Sequence, residues 1–279
     1  MPNPIVDPLV EVLDTDATSG LVQIEAAGPA SVTVWINRAE RKNAFDSSTI
    51  AALHQTFETL HGQDGIRAVF LRGRGGSFSA GADLDWMRQA FDLTEGENEE
   101  DAMAMARMLK QLYDLRPVTV ALVEGAALGG GAGLVAACDL AIATQDARFA
   151  FTEVKLGLLP ATVSPYVVEA IGPRRARGLF ATAKGFDAAY AARIGLIDEV
   201  VADTAALEQT QADLAAQIMA CGPNAVADAK ALVAHVAERP IDHAVMTETA
   251  RRIARARVSD EGREGITAFL EKRKPNWAE

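Results

Sequence analysis

The chain has 279 residues with ordinary shares of glycine, proline and aromatic side chains and a formal net charge of -11, a length that buries one large core with or without a small appendage. The acidic balance argues against nucleic acid as the main partner, because phosphate binding needs a basic face, and it obliges any phosphorylated ligand to be held by a local cationic patch. No apolar run approaches the roughly 18 to 20 residues of a membrane span, the opening MPNPIVDPLVEVLD has no basic start before an apolar core, and Cys138 and Cys221 make neither a disulfide framework nor a C-x-x-C metal site.

The expectation is therefore a cytoplasmic protein with reduced thiols, no membrane and no metal. Along the chain, Val32 to Asn37 (VTVWIN) reads as a strand and Arg38 to Ala44 as a polar connector. Asp46 or Ser47 then caps a helix with Ile50, Leu53, Phe57 and Leu60 at helical spacing. Arg67 to Arg72 (RAVFLR) is the next strand, followed by the glycine-bearing loop Gly73 to Asp83. Residues 92 to 101 (DLTEGENEED) are acidic and poor in apolar side chains, which predicts a mobile surface segment. The helix after them carries Met105, Met108, Leu109 and Leu112 and ends before Pro117.

The stretch Val118 to Ala143 reads as strand, tight glycine loop and buried helix, the loop being Gly129, Gly130 and Gly131. Such a loop aims free backbone N–H groups at whatever sits before the helix, whose N-terminus adds partial positive charge. A P-loop would need Lys then Ser/Thr after the last glycine, and a dinucleotide fingerprint would need G-x-G-x-x-G; neither is present. A phosphate cradle of another kind, an oxyanion hole and simple tight packing remain. Strands near Leu140 to Ala143 and Ala147 to Phe151 come next, then helices at about 163–171, 173–182 and 187–194 and a strand at Ile197 to Val201. From about Ala205 everything is helical. The pattern predicts an α/β core over residues 1–204 and a helical region over 205–279.

Two glycine-bearing loops, GGSFSAGADL and EGAALGGGAG, each after a strand, are followed by TEVKLGLLP. With these motifs in this order the chain resembles the enoyl-CoA hydratase/isomerase superfamily, the crotonases, from about residue 20 through EGITAFLEKRKPNW (264–277). FSAGADLDWMR (78–88), GGGAGLVAACDLAIA (129–143) and LLPATVSPYVVEAIGPRRAR (158–177) look most like the hydratases of 3-methylglutaconyl-CoA and isohexenylglutaconyl-CoA. The resemblance implies a spiral of strand-strand-helix turns, a helical trimerisation region and a homotrimer or dimer of trimers. It also implies an acyl-CoA thioester as substrate, with coenzyme A part of that substrate and no separate cofactor. The backbone N–H groups of Ala82 and Gly130 would bind the thioester oxygen, where enolate charge builds as water adds to a 2-enoyl thioester.

Many hydratases of the family use two glutamates. The second is present as Glu153, but the first position here is Gly133, so Glu153 must both activate water and return a proton, or share the work with a water chain, Glu124 or a substrate group. Glu124 reads as structural. The aspartate of the family's dienoyl isomerases is absent from Ala161 to Ser164, and His54, His61, His235 and His243 lie on predicted surface helices. A serine hydrolase lacks its G-x-S-x-G elbow, and an RNA-binding role is disfavoured by the net charge. A Δ3,Δ2-enoyl-CoA isomerase, workable with one carboxylate, is the nearest rival to hydration. Against the acidic average, Arg38, Arg41 and Lys42, with Lys272 and Lys274 from the tail of this or a neighbouring subunit, are the candidate cations for coenzyme A, and the resemblance implies backbone groups of Ala44, Ala80, Asp83 and Leu84 for adenine and pantetheine. A glutaconyl-type acyl chain would bring a distal carboxylate, for which Arg88 and Lys155 are the candidate partners.

Overall fold

The computed structural model describes residues 20–63 and 65–278, so the N-terminal segment read above for a leader lies outside the described residues. Six strands form the main sheet in the order β1-β2-β3-β4-β6-β9: β1 Val22–Ala26, β2 Ser31–Ile36, β3 Ala68–Gly73, β4 Val118–Val123, β6 Leu140–Thr144 and β9 Glu199–Val201. β1 is antiparallel to β2, and the four remaining pairings are parallel. A small second sheet, β5-β7-β8, is made of β5 Ala126–Leu128, β7 Arg148–Ala150 and β8 Phe186–Asp187. The chain alternates between them: β4 then β5, and β6 then β7, each step followed by a helix. That is the spiral of strand-strand-helix turns expected from the motifs.

Side chains on the parallel strands alternate between two cores, as a two-residue period dictates. Val32, Val34, Val69, Leu71, Ala121 and Val123 enter the larger one. The helices covering that face are α1 Ser47–His61, α3 Glu95–Tyr113 and α4 Gly130–Ala137, with the short α2 Leu84–Gln89 at its margin. Ala68, Phe70, Val120, Leu122 and Ile142 point the other way, onto α8 Thr204–Met219. The helical region thus begins against the sheet. Between them in sequence come α5 Ser164–Ile171, α6 Pro173–Thr182 and α7 Ala188–Ile194, and after α8 follow α9 Pro223–Val236, α10 His243–Val258 and α11 Asp260–Glu271. Among the described residues no helix is long and apolar enough to cross a membrane.

Two expectations need correction. Residues 95–101 are the first turns of α3, where acidic composition predicted a mobile segment. Thr94 accepts from the Glu97 N–H at 3.3 Å while the Glu97 carboxylate receives the Thr94 N–H at 2.8 Å. This capping box, with Glu95 and Glu97 at the positive end of the helix, turns charge that would favour disorder into a start signal. The short strands β1, β5 and β8 also went unread. β5 has three residues between glycines and is defined by its partner β7, which its own sequence does not show.

Candidate active site

β3 and β4 run parallel in register, so the loops that leave their C-terminal ends start side by side. Hydrogen bonds then lace the two together: Phe78 N–H to the Glu124 carbonyl at 2.9 Å, Ser79 N–H to Ala126 at 2.8 Å, and Leu128 N–H to Ser79 at 2.9 Å. Glycine is obligatory at the crossing. A Cβ on Gly81, where φ is +88°, would stand 2.8 Å from the Leu128 carbonyl oxygen, and one on Gly131 would stand 2.8 Å from Ser79. The buried Ser79 hydroxyl donates to the Asn43 carbonyl at 2.8 Å and receives the Gly81 N–H at 3.2 Å. Asn43 is fully buried at φ +56°, and its side-chain amide donates to the carbonyls of Arg74 and Ser77 at 2.8 and 2.6 Å.

Phe45 joins the two expected donors. Its N–H and carbonyl bracket Ala82, bonding to the Gly81 carbonyl and the Asp83 N–H at 2.7 Å each. In such a bridge the N–H of the central residue points to the opposite side. The Phe45 ring lies 3.2 Å from where a Gly130 Cβ would be, and Met105 of α3 lies 3.0 Å from the same point. Gly130 is the first residue of α4, so its N–H has no carbonyl within the helix. Among the described residues neither the Ala82 nor the Gly130 N–H is given an acceptor. Two free donors on adjoining, rigidly packed loops are what an oxyanion site requires.

The acid/base candidate stands beside them. Glu153 opens a short 3-10 turn after β7, and its Oε1 lies 3.0 Å from the position of a Gly129 Cβ. Gly129, at φ +50°, donates its own N–H to the Ala150 carbonyl at 2.8 Å, tying the glycine loop to the segment that carries the glutamate. Glu153 Oε2 is buried without a hydrogen-bond partner. Burial pushes the carboxyl above the usual carboxylate range, with the residue's own backbone N–H working in the opposite sense. An unspent, desolvated carboxylate next to free N–H donors is costly for folding and suited to moving protons.

The position of the family's other glutamate is closed. A Cβ at Gly133 would fall 2.1 Å from Val163 Cγ1 and 2.7 Å from its Cβ. Glu124 is structural, receiving Arg72 at 2.7 Å and the Thr204 hydroxyl at 2.5 Å.

The expected coenzyme A cations separate into three situations. Arg38 is committed to the fold: its guanidinium donates to the Ala44 carbonyl at 2.6 Å and pairs with Asp46 at 3.0 Å and Asp83 at 3.1 Å, the N-caps of α1 and α2. Lys42 is exposed and left-handed at φ +51°, and Arg41 pairs with Asp85 at 3.2 Å on the surface. Lys272 and Lys274 are exposed at the far end of β3: Arg67, just before that strand, donates to the carbonyls of Ile218 and Met219 at 2.8 and 3.1 Å and of Trp277 at 3.4 Å. Six strand residues, about 20 Å, separate that end from the glycine loops. The tail of the same chain does not bring its lysines to the site. Of the expected backbone contacts, the Ala80 N–H is spent on the Lys42 carbonyl at 2.9 Å and the Asp83 N–H on Phe45, whereas Leu84 is 70% exposed. Arg88 is exposed and paired with Asp85 at 3.1 Å, and Lys155 is exposed.

The sequence reading missed Asn43, Ser79 and Val163. Asn43 carries a local hint, since asparagine tolerates the left-handed region better than most residues; the other two act on residues distant in sequence.

Comparison with known proteins identifies the family. The family model for enoyl-CoA hydratase/isomerase matches residues 28–279. The crystal structure of an enoyl-CoA hydratase from Shewanella pealeana superposes with a TM-score of 0.90 at 36% identity, covering 96% of this chain and 98% of that one. An enoyl-CoA isomerase/hydratase of Mycosarcoma maydis is 32% identical over 92% of this chain and 97% of its own length. A crotonyl-CoA hydratase of Syntrophomonas wolfei is 31% identical over 88% and 93%. The chain belongs to the enoyl-CoA hydratase/isomerase family.

Proposed function

We propose that this enzyme adds water across the 2,3 double bond of an enoyl-CoA thioester. The observation that carries the reading is the Glu153 carboxylate packed on Gly129, one residue from the free Gly130 N–H. The thioester oxygen sits between the Ala82 and Gly130 N–H groups. As water attacks C3, its proton passes to Glu153 and the electrons of the double bond move onto that oxygen; Glu153 then returns the proton to C2 as the enolate collapses. One preorganised donor of this kind contributes about 3 kcal/mol to a transition state. The same carboxylate also supports a second reading, Δ3,Δ2-enoyl isomerisation, because the closed position at Gly133 leaves no second group to hold water.

The finer reading is a methylglutaconyl-type acyl chain, supported by the motifs at 78–88, 129–143 and 158–177, with Arg88 or Lys155 meeting the distal carboxylate. Coenzyme A enters as part of the substrate, with no separate cofactor, and Arg41 and Lys42 face solvent where its phosphates would pass. The exposed apolar side chains of the tail support association of copies as a trimer or a dimer of trimers, and the two unbonded cysteines fit a cytoplasmic setting. The test is a panel of 2-enoyl- and 3-enoyl-CoA thioesters, including methylglutaconyl-CoA, followed by enone absorbance and by incorporation of heavy oxygen from labelled water. Hydration is expected on at least one 2-enoyl thioester. Inertness toward the whole panel refutes the reading, and equal rates with methylglutaconyl-CoA and a neutral thioester of similar size refute the branch.

A further inference from the structure

Gly129 and Gly133 stand one helical turn apart, joined by the hydrogen bond from the Gly133 N–H to the Gly129 carbonyl at 3.0 Å. Gly129 is the N-cap of α4, at φ +50° and ψ -118°, and Gly133 lies within the first turn that follows. A Cβ at Gly129 would meet Glu153, and one at Gly133 would meet Val163. Val163 is 2% exposed and held in place, its carbonyl accepting the Val167 N–H at 3.1 Å as α5 begins. A hydrogen is all that fits at position 133 while Val163 is there, since real Cβ atoms do not approach other heavy atoms within 3.0 Å. Glycine and valine are therefore a matched pair: the volume given up at 133 is filled from 163, and what fills it has no donor or acceptor.

We propose that Val163 is a specificity-determining residue, whose methyl groups occupy the volume at position 133 where a second acid/base group would stand, and so set the balance between hydration and proton transfer between acyl carbons. The inference rests on the reading of Glu153 as the acid/base of an enoyl thioester enzyme. Isomerisation needs one carboxylate. Glu153 takes the proton from C2 of a 3-enoyl thioester, the electrons passing to the oxygen held by Ala82 and Gly130. It then gives the proton to C4 as the double bond settles between C2 and C3, and nothing is consumed. Hydration breaks a water O–H bond and forms C3–O, so it needs that water held in line with C3. Glu153 can hold one side of it, and an apolar wall holds none.

The experiment measures the ratio of isomerisation of 3-hexenoyl-CoA to heavy-oxygen incorporation into 2-hexenoyl-CoA. It compares the wild type, Val163→Thr, Val163→Ala, Gly133→Glu, and Gly133→Glu combined with Val163→Gly. The ratio should fall at least tenfold in Val163→Thr and Val163→Ala and further in the double variant, while Gly133→Glu alone loses both activities. A purely structural role would lower the two rates together and leave the ratio unchanged, which overturns the proposal. The packing has its own readout: Gly133→Ala should lower Tm in the wild type and much less in Val163→Gly, which removes the Cβ as well as the methyl groups, and an equal drop in both overturns the matched pair. Absence of both activities in the wild type overturns the reading of the site along with this proposal. Turnover that Glu153→Gln abolishes, with a ratio unmoved at Val163, overturns this proposal alone.

Discussion

Several large apolar side chains that pack behind the two glycine loops are fully buried within the chain; those on its last three helices are not. Phe45, Phe78, Leu134 and Phe151 are fully buried around the site. α9 and α10 bury no residue at all, and α11 buries Ala268 alone. Val258, Phe269 and Leu270 are 62%, 82% and 73% exposed. Yet the tail is well anchored: Glu261 accepts the Asn224 and Ala225 N–H groups at 3.0 and 2.8 Å to cap α9, and Lys230 donates to the Leu115 and Pro117 carbonyls at 2.7 Å each. The difference separates two tasks. Donors aimed at a developing charge work only if they do not have to reorganise, which requires a dense surround, whereas the helical layer is anchored to the core and leaves apolar side chains in solvent.

The comparison breaks first at Glu153. Glu153→Gln should lower kcat by about two orders of magnitude or more, the scale of general acid-base loss, with KM nearly unchanged. Steady-state kinetics on the best thioester of the panel check it, and near-wild-type turnover would remove the carboxylate from the chemistry. Gly130→Pro should come next, at about 10² to 10³ in kcat, since it deletes one donor and drives a ring against Met105 and Phe45. A folded and fully active variant would show that the oxygen is held elsewhere.

Legibility in the sequence follows the same divide between chemistry and packing. Glu153 and Gly130 were picked out by motif position, and the structure brings both onto the same glycine loop, Glu153 against Gly129. Gly133 was legible only as an absence. What fills its place comes from Val163, 30 positions later, and pairing of that kind leaves no local trace. Arg38 shows the converse. It reads as a cation for a ligand, and only the fold brings Asp83 to within 3.1 Å of it. The box at Thr94 and Glu97 went unread because the acidic composition around it reads as a sign of mobility. Existence and order of the longer elements followed from periodicity, whereas β1, β5 and β8 owe their form to neighbours in the sheets.

The tail gives a smaller effect of a different kind. Phe269→Asp with Leu270→Asp places charge where a single chain leaves apolar side chains in solvent, so it should not lower the stability of an isolated chain. If these residues meet another copy, burial of unpaired carboxylates opposes association. Light scattering should then give a mass near the 29.6 kDa of one chain for the variant and a multiple of it for the wild type. A wild type that already has the mass of one chain would remove the distinction between the two regions.

The smallest effect concerns what the site costs the fold. Desolvation raises the folded-state pKa of Glu153 above its ordinary value, so folding favours the protonated carboxyl. Its contribution to stability is fully present below the unfolded value, about pH 4.3, and is lost as pH rises through the higher folded value. At neutral pH the wild type carries this burden, and Glu153→Gln, with no charge to desolvate, does not. The variant should therefore melt higher than the wild type at pH 7, with the gap closing as pH falls toward 4. Thermal scans across that range check the sign. A variant that melts lower at pH 7, or a gap that widens in acid, would mean that the carboxylate is solvated or paired in the folded protein. The site would then not be the dry, dense region that sets it apart from the tail.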